Sequence, residues 1–414
     1  MKQKVYFYFP FQEESGVPML FSRVAKWLAA HYREKYKVYV IDYSDGAMAR
    51  NLKPEDGVGV KEFRFGEDCL IEDDEIIVMQ SNNPKLNWEK ELKLSPKTKV
   101  FWWTLHIRCL APTLLPRPFG DVLFTHHWMY KFVSLFYWSF MHDFAYLVDD
   151  MMDQGALHFM DEPNWKEAKK HLPIKHKSCD HYLPVPAGDY DGELKTNPCL
   201  DPVRLCWLGR VELEKLPILE YTLKKASEWA MKHQHKVEFI ILGYGADAYY
   251  IDNLPVENEW FVKHKIQPIK AADINGFLLE NVDAMFALAT SSLEAAKLGI
   301  PTIMLDSTYK PITGDYIYKY ITERKGCELT HVIGKDDLEE GNDSFEKIMD
   351  GIINRYNEIG KNCRQYFLKN HSLSCVGEQF VKLLDTSTFT YDMMNKRLFK
   401  SFLLWNIFMN IRNK

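Results

Sequence analysis

Apolar residues fall along this chain as short unbroken runs alternating with stripes at helical spacing. Val5 to Phe9 is an apolar and aromatic run and reads as a strand. Phe21, Val24, Ala25, Leu28 and Ala29 recur on one helical face and predict a helix over 21–32. Lys37 to Ile41 is a second strand, which completes a strand–loop–helix–strand unit of βαβ size. Strands at Glu75–Met79, Lys99–Trp103 and Asp121–Phe124 continue the rhythm. From Cys179 to Pro202 prolines, glycines and polar residues interrupt it, as at a domain boundary. The series then restarts with a strand at Val203–Leu208, a helix at Ile218–Lys232 and strands at Val237–Leu242 and Val282–Ala289. A short helix follows Ser291, and Gly299 to Leu305 ends it and opens another strand. The expectation is an α/β chain with domains over 1–186 and 187–385 and a terminal segment over 386–414.

Composition narrows the function classes. The chain has 414 residues, too many for one comfortable core. A formal charge of -5 gives no global case for nucleic acid as a partner. No apolar run is long enough to span a bilayer, and the run at the start is too short for a signal peptide. The eight cysteines show no CxxC spacing, which argues against structural zinc and fits free thiols in a reducing cytoplasm.

The candidate chemistry lies where strands end. The strand at Val203 ends in Gly209-Arg210, Lys215 follows, and a helix begins at Pro217. A strand end, two cations and a helix N-terminus together suit a diphosphate: the helix end offers unpaired N–H groups and the cations offer charge-assisted hydrogen bonds. The next strand ends in Gly243-Tyr244-Gly245, which permits a tight turn or a close approach of backbone to ligand. Ala248 breaks any GxGxxG fingerprint, so a hydride-transfer site is not indicated. After Ala289, Ser291 and Ser292 suit a helix N-cap, and Glu294 falls in the first turn. Glu294 reads equally as a carboxylate favoured by the helix dipole and as one accepting both hydroxyls of a ribose.

In the first half, the loop 10–18 follows the first strand and holds Glu14 and Gly16. In open α/β sheets this edge is where ligands bind. His106 stands just past the strand at Lys99–Trp103. It is either a loop-packing histidine or a substrate contact and proton handler. His126 and His127 raise the same question more weakly, and the absence of carboxylates or thiols at ligand spacing argues against metal there. Trp128 to Phe140 is densely aromatic, and reads as core in part and as an acceptor-side surface in part.

Two segments, WLGRVELEK over 207–215 and SSLEAAKLGIPTIML over 291–305, resemble nucleotide-sugar-dependent glycosyltransferases of the two-Rossmann-domain (GT-B) type. The closer likeness is to the large retaining family that includes many bacterial lipopolysaccharide and capsule enzymes. The resemblance implies two doubly wound Rossmann-like domains facing across a cleft, with acceptor bound by the first and donor by the second. It implies that Gly209, Arg210 and Lys215 hold the donor diphosphate and that Gly243 and Gly245 approach the nucleotide. It assigns the ribose to Glu294, in LEAAKLGIPTI, and the diphosphate or sugar to the loop at Gly16. It makes His106 a donor-sugar contact; an inverting reaction would also need a general base near the acceptor hydroxyl, for which His106 and Glu14 are the candidates. The family's first glutamate, eight residues before Glu294, is replaced here by Phe286. The loop before the helix is also shorter, so hydroxyl and backbone N–H groups at Thr290, Ser291 and Ser292 are left to supply contacts instead. The expected substrate is a nucleoside-diphosphate sugar, with no cofactor and no metal.

Residues 391–414 read as a basic amphipathic helix, with Lys396, Arg397, Lys400, Arg412 and Lys414 against one acid, Asp392. Two readings stand together: a helix crossing back onto the first domain, or one lying on an anionic membrane surface. The expected partners are the sugar donor and a glycan or lipid-linked acceptor, and the expected location is the cytoplasm, with peripheral attachment to the inner membrane face as the addition the tail makes. A nucleotide-sugar 2-epimerase and a non-catalytic sugar-nucleotide-binding subunit are the rival functions.

Overall fold

The structure is a computed structural model that describes residues 2–80, 91–112, 114–115, 126–243, 245, 247–266, 269–395 and 398. The chain forms two compact units, residues 1–185 with 376–414 and residues 186–375.

In the first unit the elements run β1 (Gln3–Tyr8), α1 (Gly16–His31), β2 (Tyr36–Asp42), α2 (Ala47–Arg50), β3 (Gly59–Glu62), β4 (Cys69–Ile71), β5 (Ile76–Met79), β6 (Leu92–Leu94), β7 (Lys99–Thr104), α3 (His127–Leu135), α4 (Trp138–Asp153), β8 (Leu157–Phe159) and α5 (Glu162–His171). Six strands form a parallel sheet in the order β3-β2-β1-β5-β7-β8. Such strands are covered on both faces, which is why they are nearly continuous apolar runs. Tyr6, Ile77, Val100 and Trp102 point to one face, in a core shared with Phe144 and Val148 of α4. On the other, the rings of Phe7 and Trp103 pack against Phe21 of α1 and against Phe380. α1 starts at Gly16, ahead of the expected Phe21, because Pro18 lies in the first turn, where a missing N–H breaks no helical bond. The expected strand at Asp121–Phe124 lies outside the described residues.

The second unit runs β9 (Val203–Leu208), α6 (Leu216–His233), β10 (Val237–Leu242), α7 (Ala248–Asp252), β11 (Phe261–Ile266), α8 (Ile274–Asn281), β12 (Ala284–Ala287), α9 (Ser291–Ala296), β13 (Thr302–Met304), β14 (Lys319–Tyr320), α10 (Ser344–Asn354) and α11 (Tyr356–Asn370). Its sheet has the order β11-β10-β9-β12-β13-β14, parallel except for β14. Trp207, Phe239 and Phe286 face α6 and α10, while Cys206, Ile240 and Met285 face α8 and α9. Each unit is thus a doubly wound, Rossmann-like α/β layer structure.

α12 (Leu373–Thr386) leaves the second unit, and residues 376–385, placed in the second domain by sequence reading, pack with the first. Phe389, Met394 and Leu398 are buried in the first unit's core. The start of the terminal segment therefore lies on that unit, and its basic end, 399–414, lies outside the described residues.

Candidate functional site

Strand order decides where the second unit can bind a ligand. From β9 the chain winds to β10 and β11 on one side, then returns to β12 on the other side of β9. The carboxyl ends of β9 and β12 therefore flank a topological switch point, where adjacent crossovers diverge and leave a crevice. The loop after β9 carries Gly209, Arg210 and Lys215, and the loop after β12 leads into Ser291 and Glu294. β10, whose end carries Gly243 and Gly245, lies on the other side of β9. Fold topology thus brings these sequence candidates to one sheet edge.

The two cations share a carboxylate that sequence reading overlooked. Arg210 pairs with Glu212 at 2.8 Å, and Lys215 lies 3.4 Å from the same carboxylate and 3.7 Å from Glu214. Arg210 remains largely exposed. Exposed pairs of this kind contribute about 0–1 kcal/mol, so an arriving polyanion can replace Glu212 at little cost. Lys215 is the N-cap of α6 and supplies no side-chain cap; the Leu216 N–H donates to the Glu212 carbonyl at 2.9 Å and Pro217 has no N–H, so what this helix end offers an anion is chiefly the positive pole of its dipole.

The glycines answer first to their own backbone. A Cβ on Gly243 would stand 2.1 Å from the Gly209 carbonyl oxygen, and one on Gly245 would stand 2.1 Å from that of Val211. The loops after β9 and β10 are therefore in direct main-chain contact, and both glycines are required whether or not a nucleotide approaches. Gly209, at φ +147°, lies close beneath Ser291, whose hydroxyl would be 3.5 Å from an added Cβ.

The expected serine cap does not form. Thr290 is the N-cap of α9 and makes no side-chain cap bond. Ser292 is buried, and its hydroxyl donates to the Ala289 carbonyl at 2.6 Å, so it is committed to the local turn and not to a ligand. Ser291 is half-buried at the edge. Glu294 is partly exposed and is paired with Lys297, a partner three residues on. Phe286 is buried inside β12 among Phe239, Phe345 and Tyr318, with ring centroids 5.9–6.1 Å away. The position of the missing glutamate is thus a core position here. The connection from β12 to α9 is only Leu288–Thr290, and Ala289 takes φ +53° within it, a conformation that costs a non-glycine residue about 1 kcal/mol.

Beyond β13 lies a charged cluster with no local sequence signal. Asp306 is buried and accepts from Arg324 Nη2 at 2.6 Å, Tyr316 Oη at 2.7 Å and the His331 backbone N–H at 3.2 Å. His331 lies between Glu328 and Asp337, the latter at 2.8 Å. Burial opposes a charge on His331, but hydrogen bonds to Asp337 and Glu328 and the charge of Asp306 overcome this and raise its pKa to about 10. Asp306, Glu328 and His331 bring ligand atoms within 4.8 Å of one another, a spacing a metal could use. Arg324 and the imidazolium of His331 already neutralise these carboxylates, so the cluster reads as an ion network. It braces the loop that reaches the site: the Thr308 N–H donates to the Glu214 carbonyl at 2.8 Å.

In the first unit, the expected residues spread along the corresponding edge. Asp42, at the end of β2, is fully buried and accepts N–H bonds from Phe11, Tyr43, Met48 and Ala49 at 2.8–3.2 Å. This pins the loop after β1, where Glu14 is exposed. Gly16 belongs to the first turn of α1, not to a glycine-dependent loop, and an added Cβ would meet nothing within 4 Å. His106 follows β7, and β5 separates that strand from β1, so Glu14 and His106 leave the sheet from different strands. The Arg108 backbone N–H donates to His106 Nδ1 at 3.1 Å. Crowding by protein atoms and the Arg108 charge hold the His106 pKa below its ordinary value. The neutral ring then carries its proton on Nε2, which makes it a hydrogen-bond donor and ill-suited as a general base. A cavity of about 730 Å³ in the second unit is lined by Tyr318, Tyr320, Glu346 and Arg355, and by none of the candidate residues.

No protein-family profile and no curated protein matches this sequence. Solved structures do match it in fold. A glycosyltransferase from Rickettsia africae superposes with a TM-score of 0.52 at 10% identity, covering 93% of this chain and 98% of its own. The lipopolysaccharide outer core galactosyltransferase WaaB superposes with a TM-score of 0.50 at 10% identity, covering 93% of this chain and 99% of its own. No helix among the described residues is long and apolar enough to cross a membrane. With two Rossmann-like units and matches that span nearly the whole chain, the protein has a GT-B-like fold.

Proposed function

We propose that this protein is a glycosyltransferase that moves a sugar from a nucleoside-diphosphate donor to a glycan or lipid-linked glycan of the cell envelope. What supports this reading is that Arg210 and Lys215 follow β9 while Ser291 and Glu294 open the helix after β12, the two strands that flank the switch point of the second unit. In this reading the donor diphosphate replaces Glu212 on Arg210 and Lys215. Those cations and the N-terminus of α6 then stabilise the charge that grows on the leaving phosphate. Two side-chain cations at that position make a divalent metal unnecessary for that role. Glu294 accepts the ribose hydroxyls. With Phe286 in the core, the sugar end is left to the backbone and hydroxyls of Thr290 and Ser291. On the first unit, the Nε2–H of His106 and the carboxylate of Glu14 are assigned to acceptor hydroxyls. The fold likeness to the Rickettsia glycosyltransferase and to WaaB supports a transferase, and WaaB's role in lipopolysaccharide synthesis suggests the envelope acceptor.

Calorimetric titration with UDP-, GDP-, ADP- and CMP-sugars tests the reading. Arg210→Ala and Lys215→Ala are each expected to weaken binding of the best ligand about tenfold or more, since each removes a charge-assisted hydrogen bond, while leaving thermal unfolding unchanged. Wild-type affinity and transfer in both variants would sink the assignment.

A further inference from the structure

Between β14 and α10 the chain runs through a segment, 324–334, that belongs to no helix or strand. It is bonded towards both loops assigned to the donor. On one side, the Leu329 carbonyl accepts the N–H of Ala289, in the loop between β12 and α9, at 3.1 Å. On the other, the His331 carbonyl accepts the N–H and the hydroxyl of Ser307 at 2.9 and 3.0 Å, and the Ile333 N–H donates to the Ser307 carbonyl at 2.8 Å. Ser307 precedes Thr308, whose N–H reaches the Glu214 carbonyl, one residue before Lys215. Segment 324–334 is thus tied on one side to Ala289, close before Ser291, and on the other, through Ser307 and Thr308, to Glu214.

The way these bonds are held bears on what they do. Ala289 keeps φ +53° with its N–H fixed by Leu329 and its carbonyl accepting the N–H and hydroxyl of Ser292 at 3.2 and 2.6 Å. A residue in such a conformation persists only where its surroundings over-determine it. The segment itself is anchored by charges out of water. The side chains of Arg324 and Asp306 are 3% and 2% exposed, and Arg324 Nη2 also donates to the Met304 carbonyl at 3.1 Å. The His331 ring lies between Glu328, the neighbour of Leu329, and Asp337. Burying such charges costs about as much as their attraction returns, so a well-packed apolar filling would hold the segment about as firmly. What directed bonds add is a single register of the segment against Ala289 and Ser307.

We infer that segment 324–334 is a spacer for the donor site, with His331 as its positioning residue: its carbonyl holds Ser307, its ring holds the neighbour of Leu329, and together these set the separation between the loop of Arg210 and Lys215 and the loop of Ser291 and Glu294. The diphosphate and ribose of a nucleotide are joined by a short covalent link. Cations and carboxylate must therefore keep a matching separation to grip both, and a separation fixed in advance costs the ligand nothing to impose. The inference rests on the donor reading above. It adds that residues without ligand chemistry of their own set the affinity of that site.

Calorimetric titration with UDP, GDP, ADP and CDP, beside amide-resolved hydrogen exchange, tests it. His331→Asn is expected to weaken the best of the four about tenfold, as residues acting through packed contacts do. It should also speed exchange at the amides of Ala289 and Thr308 while β9 and β12 stay protected. Ile352→Val is the control, since it removes buried packing from α10, away from the segment. It should lower the melting temperature and leave affinity and those two amides as in the wild type, which is how His331→Asn would behave were His331 merely structural. Should His331→Asn not fold, Glu328→Gln removes one charge, keeps an acceptor against the ring, and is expected to weaken binding about threefold with the same two amides loosened. Wild-type affinity in His331→Asn, beside lost affinity in Arg210→Ala, would overturn the inference and leave the donor reading standing. Weaker binding without faster exchange at Ala289 and Thr308 would also overturn it, as would an equal loss in Ile352→Val. A wild type that binds none of the four nucleotides would remove the donor reading and this inference with it.

Discussion

Gly243 and Gly16 show how differently two glycines at strand-end loops are constrained. A methyl group on Gly243 would meet the Gly209 carbonyl oxygen at 2.1 Å, whereas one on Gly16 would meet nothing within 4 Å in a helical first turn. Gly243→Ala is therefore expected to destabilise the protein by about 2 kcal/mol or more through forced separation of two main chains. Gly16→Ala is expected to be neutral or to stabilise by about 0.5 kcal/mol, through reduced freedom of the unfolded chain. Urea melts of the two variants would check this, and equal effects would contradict it. At this scale the placement of Arg210 and Lys215 after β9, and of Glu294 in the helix after β12, was legible, because residue type and distance from a strand end are local properties. The partners were less so. Glu212 stands in plain view between the two cations, but only coordinates show it bonded to one and close to the other. Ser292 had the right type for a cap, yet its hydroxyl turns back to Ala289, because the short loop puts that carbonyl within reach.

Among elements, the loop after β13 is held in the most unusual way. His331 is kept charged between Asp337 and Glu328, with its pKa raised to about 10. A group with a raised folded-state pKa contributes its full stabilisation below its unfolded value near 6.5 and loses it as pH rises through the folded value. Glu328 and Asp337 are depressed despite burial, through their bonds to His331, so their share is lost as pH falls through the acidic range. Stability contributed by this loop should therefore be greatest near pH 6, fall steadily from neutrality upward and level off only above about 10. His331→Asn should remove the alkaline decline, as melting temperature measured against pH would reveal. A wild type whose melting temperature does not fall toward pH 10 would refute it. Strands β1, β2, β5, β7, β9, β10 and β12 and the long helix α6 were legible to within a few residues, since each has its own period, whereas the long helices α4, α11 and α12 were not read. Short elements such as α2 and α7 have too few residues to show a period, and α9 was legible from its serines and following glycine, not from a period. The Asp306–Arg324–His331 network joins positions far apart in sequence, which no local pattern records.

Across the whole molecule, each unit carries its own core, and Asp283 is a keystone of the second. Its buried carboxylate accepts from the backbone N–H groups of Cys199 and Arg204 at 3.0 Å and from Arg204 Nε at 3.1 Å, with Lys195 Nζ at 3.4 Å. Burial lowers the Lys195 pKa, the mark of a charge held out of water. Asp283→Ala would leave that charge unpaired, at about 3–5 kcal/mol, a large part of the total stability of an ordinary domain. Hydrogen exchange should then show lost protection in β9, β10 and β12, with β1, β2 and β5 kept. Uniform loss along the chain would contradict separate cores.

The sequence by itself determined the alternation of strands and helices, the interruption near residue 186 and the kinds of residue standing at each strand end. Those are set by periodicity and by residue chemistry over a few neighbours. Tertiary structure decided the strand order, and with it that the ends of β9 and β12 lie side by side at a switch point. It also decided that Phe286 fills the core, that residues 376–385 pack with the first unit, and that one side of α3 stays in solvent. Strand neighbours and ring burial depend on contacts between residues far apart in the chain. An apolar stripe shows that a face exists, and only packing shows what covers it.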